Sequence, residues 1–339
     1  MRKDIDVPTE PRPAPHLAGT SISVRRSATF VETPAVQDMR NRALGYLRAG
    51  FSVNFRGPAG SGKTTLAFHV AAQLERPVVF LSGDDEMTTS NLVGGRFGYQ
   101  YRKVVDRFIH TVMKYEEDAT SQWSDHRLTT ACREGHTLIY DEFTRSRPEA
   151  NNILLGVLEE RLLVLPVPNR NESYVRVHPE FRAIFTSNPQ EYSGVHDAQD
   201  ALSDRMVMID VDYLDRETEL AITAARSGLP ESNVERIVDL VRDYRASGEY
   251  DQAPTLRGSI MIARVVAGEK LRVSSADPRF VQTCLDLLAT RASFSSRSKD
   301  ERVQHRKMLM SLIDHHCRDD RTQNHHDSTA HRRTELAPA

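Results

Sequence analysis

Short apolar runs alternate with longer stretches of helical periodicity through the first two thirds of the chain. Phe51-Ser-Val-Asn-Phe55, Pro77-Val-Val-Phe-Leu81, Thr137-Leu-Ile-Tyr140, Phe181-Arg-Ala-Ile-Phe-Thr186 and Met206-Val-Met-Ile-Asp-Val211 read as buried strands. Strands spaced by helices predict a parallel sheet with right-handed crossovers. Arg161-Leu-Leu-Val-Leu-Pro166 and the run from Val175 to Val177 read as a β-hairpin inserted before the fourth of these strands. After Asp212 the pattern changes to helical periods near 215–228, 231–246, 256–272 and 278–292, with no strand run among them.

The two ends have no apolar pattern. Residues 1–30 are rich in Pro, Ser and Thr, and residues 316–339 in His, Arg, Asp and Thr, so both read as flexible tails. Between them we expect an α/β domain over 31–212 and a smaller all-helical domain over 213–315. No internal repeat recurs at a fixed period.

Composition adds exclusions. Of the 339 residues, 39% are hydrophobic and 27% charged, the balance of a globular protein. The net charge of −2 gives no general attraction to nucleic acid or to an anionic membrane. No apolar run approaches the roughly 18 residues of a membrane span, and the first residues lack a secretory apolar core. Neither a membrane nor a nucleic-acid partner is expected. Cys132, Cys284 and Cys317 are too few and too scattered for a disulfide framework or a zinc module, so a cytoplasmic location is the default. Asp314-His-His-Cys317 matches a palmitoyltransferase signature, but without a membrane span or a cysteine-rich module it reads as coincidence. His325, His326 and His331 read as a solvated tail rather than a metal site.

The chemistry begins where the first strand ends. Gly57-Pro-Ala-Gly60-Ser-Gly62-Lys63-Thr64 satisfies the P-loop pattern in full, after a strand and before a helix from Thr64 to about Leu74. Gly57, Pro58, Ala59, Gly60, Ser61, Gly62, Lys63, Thr64 and Thr65 are therefore the expected ATP-binding residues. The glycines let backbone N–H groups turn toward the phosphates, and the helix N-terminus adds positive potential. Lys63 would reach the β- and γ-phosphates, and the Thr64 hydroxyl would bind Mg²⁺. The alternative is a glycine-rich turn with no ligand.

Asp141 and Glu142 follow the strand Thr137–Tyr140. A carboxylate pair at a strand's C-terminal end belongs to the ligand crevice of such a sheet. Asp141 would hold Mg²⁺, directly or through water, and Glu142 would polarise the attacking water. The alternative is a solvated acidic turn. Asn188, in Thr186-Ser-Asn-Pro189, would hydrogen-bond the lytic water or the γ-phosphate, against an ordinary Asn-Pro turn. Arg205 precedes the last strand and is a candidate arginine finger toward a neighbouring subunit's phosphate. Arg257, in Pro254-Thr-Leu-Arg-Gly258, is a second candidate for the γ-phosphate. For both arginines an ordinary surface role is the alternative, and the assignment depends on family context.

The order of these pieces resembles the AAA+ ATPases over about 280 residues: a P-loop NTPase core with a helical lid. Asp141-Glu-Phe-Thr-Arg-Ser-Arg-Pro148, Asn151-Asn-Ile-Leu-Leu-Gly-Val-Leu-Glu-Glu160 and the hairpin resemble the MoxR-type branch. Thr144 stands where that branch usually has Asn, which leaves the acidic pair intact but puts a supporting role at that position in doubt. Gly94-Gly-Arg-Phe-Gly-Tyr-Gln-Tyr101, Lys114-Tyr-Glu-Glu-Asp118 and the run from Trp123 to Gly135 resemble the gas vesicle protein GvpN family. That resemblance implies an ATPase needed for gas vesicle formation, located in the cytoplasm and with the vesicle. It further implies other gas vesicle proteins as partners and a ring-like homo-oligomer, often a hexamer, with nucleotide at the subunit junctions. Arg96, Phe97, Tyr99, Tyr101, Arg102 and Lys103 mix aromatics with cations, which suits nucleic acid by stacking and charge or a protein contact; the resemblance favours a protein client or co-assembly partner, and a partly packed loop is the alternative. A nucleotide-gated scaffold and a general MoxR-type chaperone inserting a metal cofactor remain competing functions.

Overall fold

The computed structural model describes residues 21–24, 30–106, 114–169, 172–188, 200–250, 253–289 and 299–318. The side chains of residues 96–123, including the mixed group from Arg96 to Lys103, lie outside that description. So do most of both expected tails, with His325, His326 and His331, and Pro189.

The elements run in chain order as α1 (Pro34–Arg48), β1 (Ser52–Arg56), α2 (Lys63–Ala72), β2 (Val78–Ser82), α3 (Thr89–Val93), β3 (Gly94–Asp106), β4 (Lys114–Asp125), α4 (Arg127–Glu134) and β5 (Thr137–Asp141). A 3₁₀ turn (Phe143–Arg145) leads to α5 (Pro148–Asn151), α6 (Ile153–Leu158), β6 (Leu162–Asn169), β7 (Glu172–Arg176), β8 (Arg182–Ser187), α7 (Asp200–Ser203) and β9 (Met206–Asp210). The helices α8 (Arg216–Ser227), α9 (Glu231–Ser247), α10 (Leu256–Glu269), α11 (Pro278–Leu288) and α12 (Lys299–Cys317) complete the set.

Five strands form one sheet in the order β2-β5-β8-β1-β9. The pairs β2–β5, β5–β8 and β1–β8 are parallel. Four of the five residues of β1 and of β5 are buried, which is why these strands read as continuous apolar runs rather than alternating ones. Each of the five matches a strand expected from the sequence. β6 and β7 pair antiparallel, as the expected hairpin. The stretch after residue 93 differs from a partly packed loop: β3 and β4 form a long antiparallel hairpin, with Gly94 opposite Asp125 and Asp106 opposite Lys114. Its strands are rich in charge and glycine, so no apolar period announces them.

The chain divides into two compact units. One comprises residues 1–26, 40–56 and 64–209, and its core gathers Val79, Leu138, Tyr140, Phe143, Leu154 and Phe185. The other comprises 27–39, 57–63 and 210–339, with a core of Ile237, Tyr244, Ile262, Phe280, Leu309 and Ile313. The four helices expected after Asp212 are present as α8 to α11. Asp215 caps α8 by accepting the Thr218 amide at 2.8 Å, and Gly228 closes it in a left-handed conformation. α12 was not expected. Its buried stripe is His305, Leu309, Ile313 and Cys317, one residue every four, and the two polar types at its ends hide the period. The Tyr244 hydroxyl meets His305 Nε2 at 2.9 Å, which satisfies the buried imidazole. Asp314-His-His-Cys317 therefore belongs to a structural helix: His316 pairs with Asp243 at 2.7 Å, and Cys317 is core. Burial pushes the Cys132 and Cys317 thiols up to about 12, in keeping with packed rather than reactive cysteines. Among the described residues no helix is long and apolar enough to cross a membrane.

The helical unit is pinned by one buried carboxylate. Glu219 is 1% exposed and accepts from Arg242 Nη1 at 3.1 Å and Arg245 Nη1 at 2.9 Å. Arg245 Nε donates onward to the Pro254 carbonyl at 2.7 Å, and its guanidinium lies 4.6 Å over the Tyr213 ring. Removing the carboxylate leaves Arg245 buried without its counter-charge. Glu219→Ala is expected to cost about 2–3 kcal/mol, discounted because Arg242 is partly solvated. Denaturant unfolding followed by far-UV dichroism measures it, and an unchanged midpoint would refute the assignment.

Candidate nucleotide and hydrolysis site

β1, β8 and β5 lie side by side and end together. Arg56 is in register with Ser187, Tyr140 with Phe185, and Ser82 with Asp141. Parallel strands deliver their C-terminal residues to one edge of the sheet, where α/β proteins bind ligands.

Within the sheet unit, a shared oxygen ties three chain segments together. Thr64 Oγ1 and Thr186 Oγ1 each donate to Asp141 Oδ1 at 2.6 Å. The Thr186 hydroxyl also accepts the Glu142 amide at 2.8 Å. That hydroxyl is fully buried and uses its donor on one acidic residue and its acceptor capacity on the next. Glu142 itself has φ +50°, the left-handed region that a non-glycine residue adopts only under constraint. The constraint is visible on both sides. The Thr186 bond holds the Glu142 amide, and Arg145 N donates to the Glu142 carbonyl at 2.9 Å. The Glu142 carboxylate is 40% exposed and accepts from Arg145 Nη1 at 2.9 Å through Oε2.

Aromatic packing anchors this edge from below. Phe143 and Phe185 meet edge-to-face with centroids 5.3 Å apart. The buried Tyr140 hydroxyl donates to Asn151 Oδ1 at 3.0 Å and lies 2.7 Å from the Ser146 hydroxyl, and Asn151 Nδ2 donates to the Phe143 carbonyl at 3.0 Å. Burial pushes the Tyr140 phenol up to about 12, so it stays a neutral donor. The turn after β5 is thus tied back to the strand through Ser146 and Asn151.

In the other unit, the P-loop turns through Gly60 at φ +73° and Gly62 at φ +94°. A Cβ on Gly60 would stand 2.6 Å from Thr255 Oγ1, and one on Gly57 would stand 2.0 Å from the Val211 carbonyl oxygen. Both positions require glycine, the first for conformation and space, the second for space alone. Lys63 is 7% exposed, and its Nζ donates to the Gly57 and Pro58 carbonyls at 2.9 and 2.7 Å. The Ser61 hydroxyl is buried without a hydrogen-bond partner. An ammonium folded on its own loop and an orphaned hydroxyl beside it fit an anionic group such as a phosphate. Pro58 is half-buried, and Ala59 and Thr65 are exposed. Arg257 is exposed in the first turn of α10, two residues after Thr255.

Asn188 is buried directly after β8. Arg205 lies between α7 and β9. Its Nε donates to Glu159 Oε2 at 2.6 Å and its Nη1 to the Ala201 carbonyl at 2.6 Å. Thr186, Arg145, Glu159 and Thr255 all lie within the sequence motifs, but nothing in the sequence assigns any of them a role. The signal for Thr186 was a hydroxyl two residues before Asn188 at a strand tip; its partners stand 44 and 45 residues away and only the β5–β8 register reveals them.

The AAA domain (dynein-related subfamily) profile matches residues 52–206. The chain is 60% identical over 299 residues to Gas vesicle ATPase GvpN of Ancylobacter aquaticus, covering 88% of this chain and 84% of that protein. It is 42% identical over 267 residues to Gas vesicle ATPase GvpN of Haloferax mediterranei, covering 78% and 75% respectively. Protein CbbQ of Hydrogenophilus thermoluteolus is 27% identical over 185 residues, 55% of this chain and 62% of that one.

Proposed function

The chain belongs to the gas vesicle ATPase GvpN family, built on an AAA domain, and we propose that it spends ATP hydrolysis on remodelling or chaperoning gas vesicle proteins as vesicles form. The observation that carries this reading is the intact acidic edge, where Thr64 and Thr186 both donate to Asp141 and Thr186 also holds the Glu142 amide. A protein that only had to hold nucleotide needs no strained, pre-positioned second carboxylate.

ATP is the substrate. Residues Gly57 to Thr65 cradle its phosphates, with Lys63 transferring its ammonium from the loop carbonyls to phosphate oxygens. The paired Thr64 and Asp141 oxygens, 2.6 Å apart, fit a hard divalent cation. Mg²⁺ bound there supplies charge neutralisation on the phosphate oxygens. Glu142 takes the proton of the attacking water, and Asn188 orients that water. Arg205 serves the phosphate of a neighbouring copy in a ring, and Arg257 the γ-phosphate. The protein works in the cytoplasm and on the vesicle, with gas vesicle proteins as clients. A scaffold reading, in which nucleotide fastens the assembly without turnover, is the competitor. A cofactor-inserting chaperone is the other competitor, disfavoured by the 60% and 42% identity to gas vesicle ATPases.

The test is phosphate release by the purified protein with and without purified gas vesicle proteins. Stimulation by the client supports remodelling; a rate indifferent to every one of them overturns it. A sharper local result is expected from Thr186→Val. The variant keeps volume but strands the Glu142 amide and frees Asp141 Oδ1 from one of its two donors. kcat should fall about 10- to 100-fold, the penalty of a misplaced catalytic group, with KM for ATP changed little. Steady-state kinetics checks the split, and an equal loss in KM would point to the binding loop instead.

A further inference from the structure

Arg205 is held from two elements of its own subunit. Glu159 caps the C-terminal end of α6, and Ala201 lies in α7. Glu159 Oε2 accepts from Arg205 Nε at 2.6 Å and is also met by Nη2, while the Ala201 carbonyl takes Nη1 at 2.6 Å. Both side chains remain open to solvent, 31% for Arg205 and 54% for Glu159. An ion pair this exposed contributes little to folding, so stability is a weak reason for three bonds on one guanidinium. Geometry is a better one. A guanidinium has five N–H donors. With one edge on Glu159 and one donor on Ala201, a donor remains on each of Nη1 and Nη2. Those are the two atoms farthest out on the side chain.

We propose that Glu159 is the positioning residue for Arg205, fixing the guanidinium in advance so that its outer nitrogens meet a phosphate held by a second copy of this chain. The inference rests on the reading of Arg205 as acting on the neighbouring subunit. An unrestrained arginine must give up its rotamer freedom at each turnover, whereas a pre-positioned one stabilises developing charge without that reorganisation. Glu159 leaves ATP binding in its own subunit untouched, since it supplies no contact to the P-loop.

Glu159→Ala and Arg205→Ala, each in the full chain, test this with ATP as substrate. The expected result is a fall in kcat of about 10- to 100-fold for Glu159→Ala, a larger fall for Arg205→Ala, and no change in KM for either. The decisive arm mixes Glu159→Ala subunits with Glu142→Gln subunits. A Glu142→Gln subunit turns over almost nothing itself but offers an intact Arg205–Glu159 pair to its neighbour. Turnover per Glu142-bearing subunit should therefore recover in the mixture. If Arg205→Ala leaves kcat unchanged, the reading of Arg205 falls and the proposal with it. If Arg205→Ala lowers kcat but Glu159→Ala does not, or raises it, the proposal alone is overturned. Absence of recovery on mixing overturns it as well, because a defect confined to its own subunit cannot be supplied from outside.

Discussion

Glu142→Gln is expected to cut phosphate release by roughly 10³-fold, the scale of a lost general base, while ATP still binds. The substitution keeps shape, so the backbone loses nothing. Residue 142 sits at φ +50° because its amide is fixed by Thr186 Oγ1 and its carbonyl by the Arg145 amide, and neither bond uses the side chain. An amide oxygen also still accepts from Arg145 Nη1. What disappears is the ability to take a proton. The P-loop contacts of Lys63 and the Thr64–Asp141 pair are untouched. Single-turnover hydrolysis measures the loss and nucleotide titration measures the retained affinity. A variant that hydrolysed at the parent rate would remove Glu142 from the chemistry and point to a water oriented by other groups. A variant that lost affinity along with rate would mean the carboxylate shapes the phosphate site instead.

The parts of this site that sequence made visible are those whose meaning is local. Gly57 to Thr64 is a contiguous loop whose glycines answer steric demands within a few residues or at one close approach, such as Gly57 to the Val211 carbonyl. The five sheet strands were readable because a parallel strand buried on both faces is a short apolar run. Asp141 and Glu142 were readable because they end such a run. Pairings between distant segments were not. Thr186 acts through residues 44 and 45 positions away, and Glu159 meets Arg205 46 positions away. Each is set by register and helix packing that no spacing in the sequence encodes. α12 escaped for a different reason: its buried face is written in His and Cys at the ends, so hydrophobicity alone undercounts it. The β3–β4 hairpin escaped because its strands are held by backbone pairing over charged, glycine-containing sequence.

Lys63→Met is expected to weaken ATP binding by at least about 100-fold, since it removes two charge-assisted hydrogen bonds worth roughly 1.5–3 kcal/mol each. Methionine preserves the apolar stem of a side chain that is 7% exposed, so α2 and its packing should survive. The ammonium is the loss. In the free chain it satisfies the Gly57 and Pro58 carbonyls, which keeps the loop closed and the charge ready in place. On the proposed reading the same charge passes to the phosphate when ATP binds, and methionine supplies none. Nucleotide titration gives the affinity, and thermal denaturation without nucleotide gives the loop's own share. Setting this variant beside Glu142→Gln separates the two functions still in competition. One binds ATP poorly and the other binds it but turns it over poorly. If both abolish vesicle formation in cells, hydrolysis is the working step and the remodelling reading stands. If Glu142→Gln still yields vesicles while Lys63→Met does not, occupancy alone is sufficient, and ATP acts here as a fastener of the assembly rather than as its fuel.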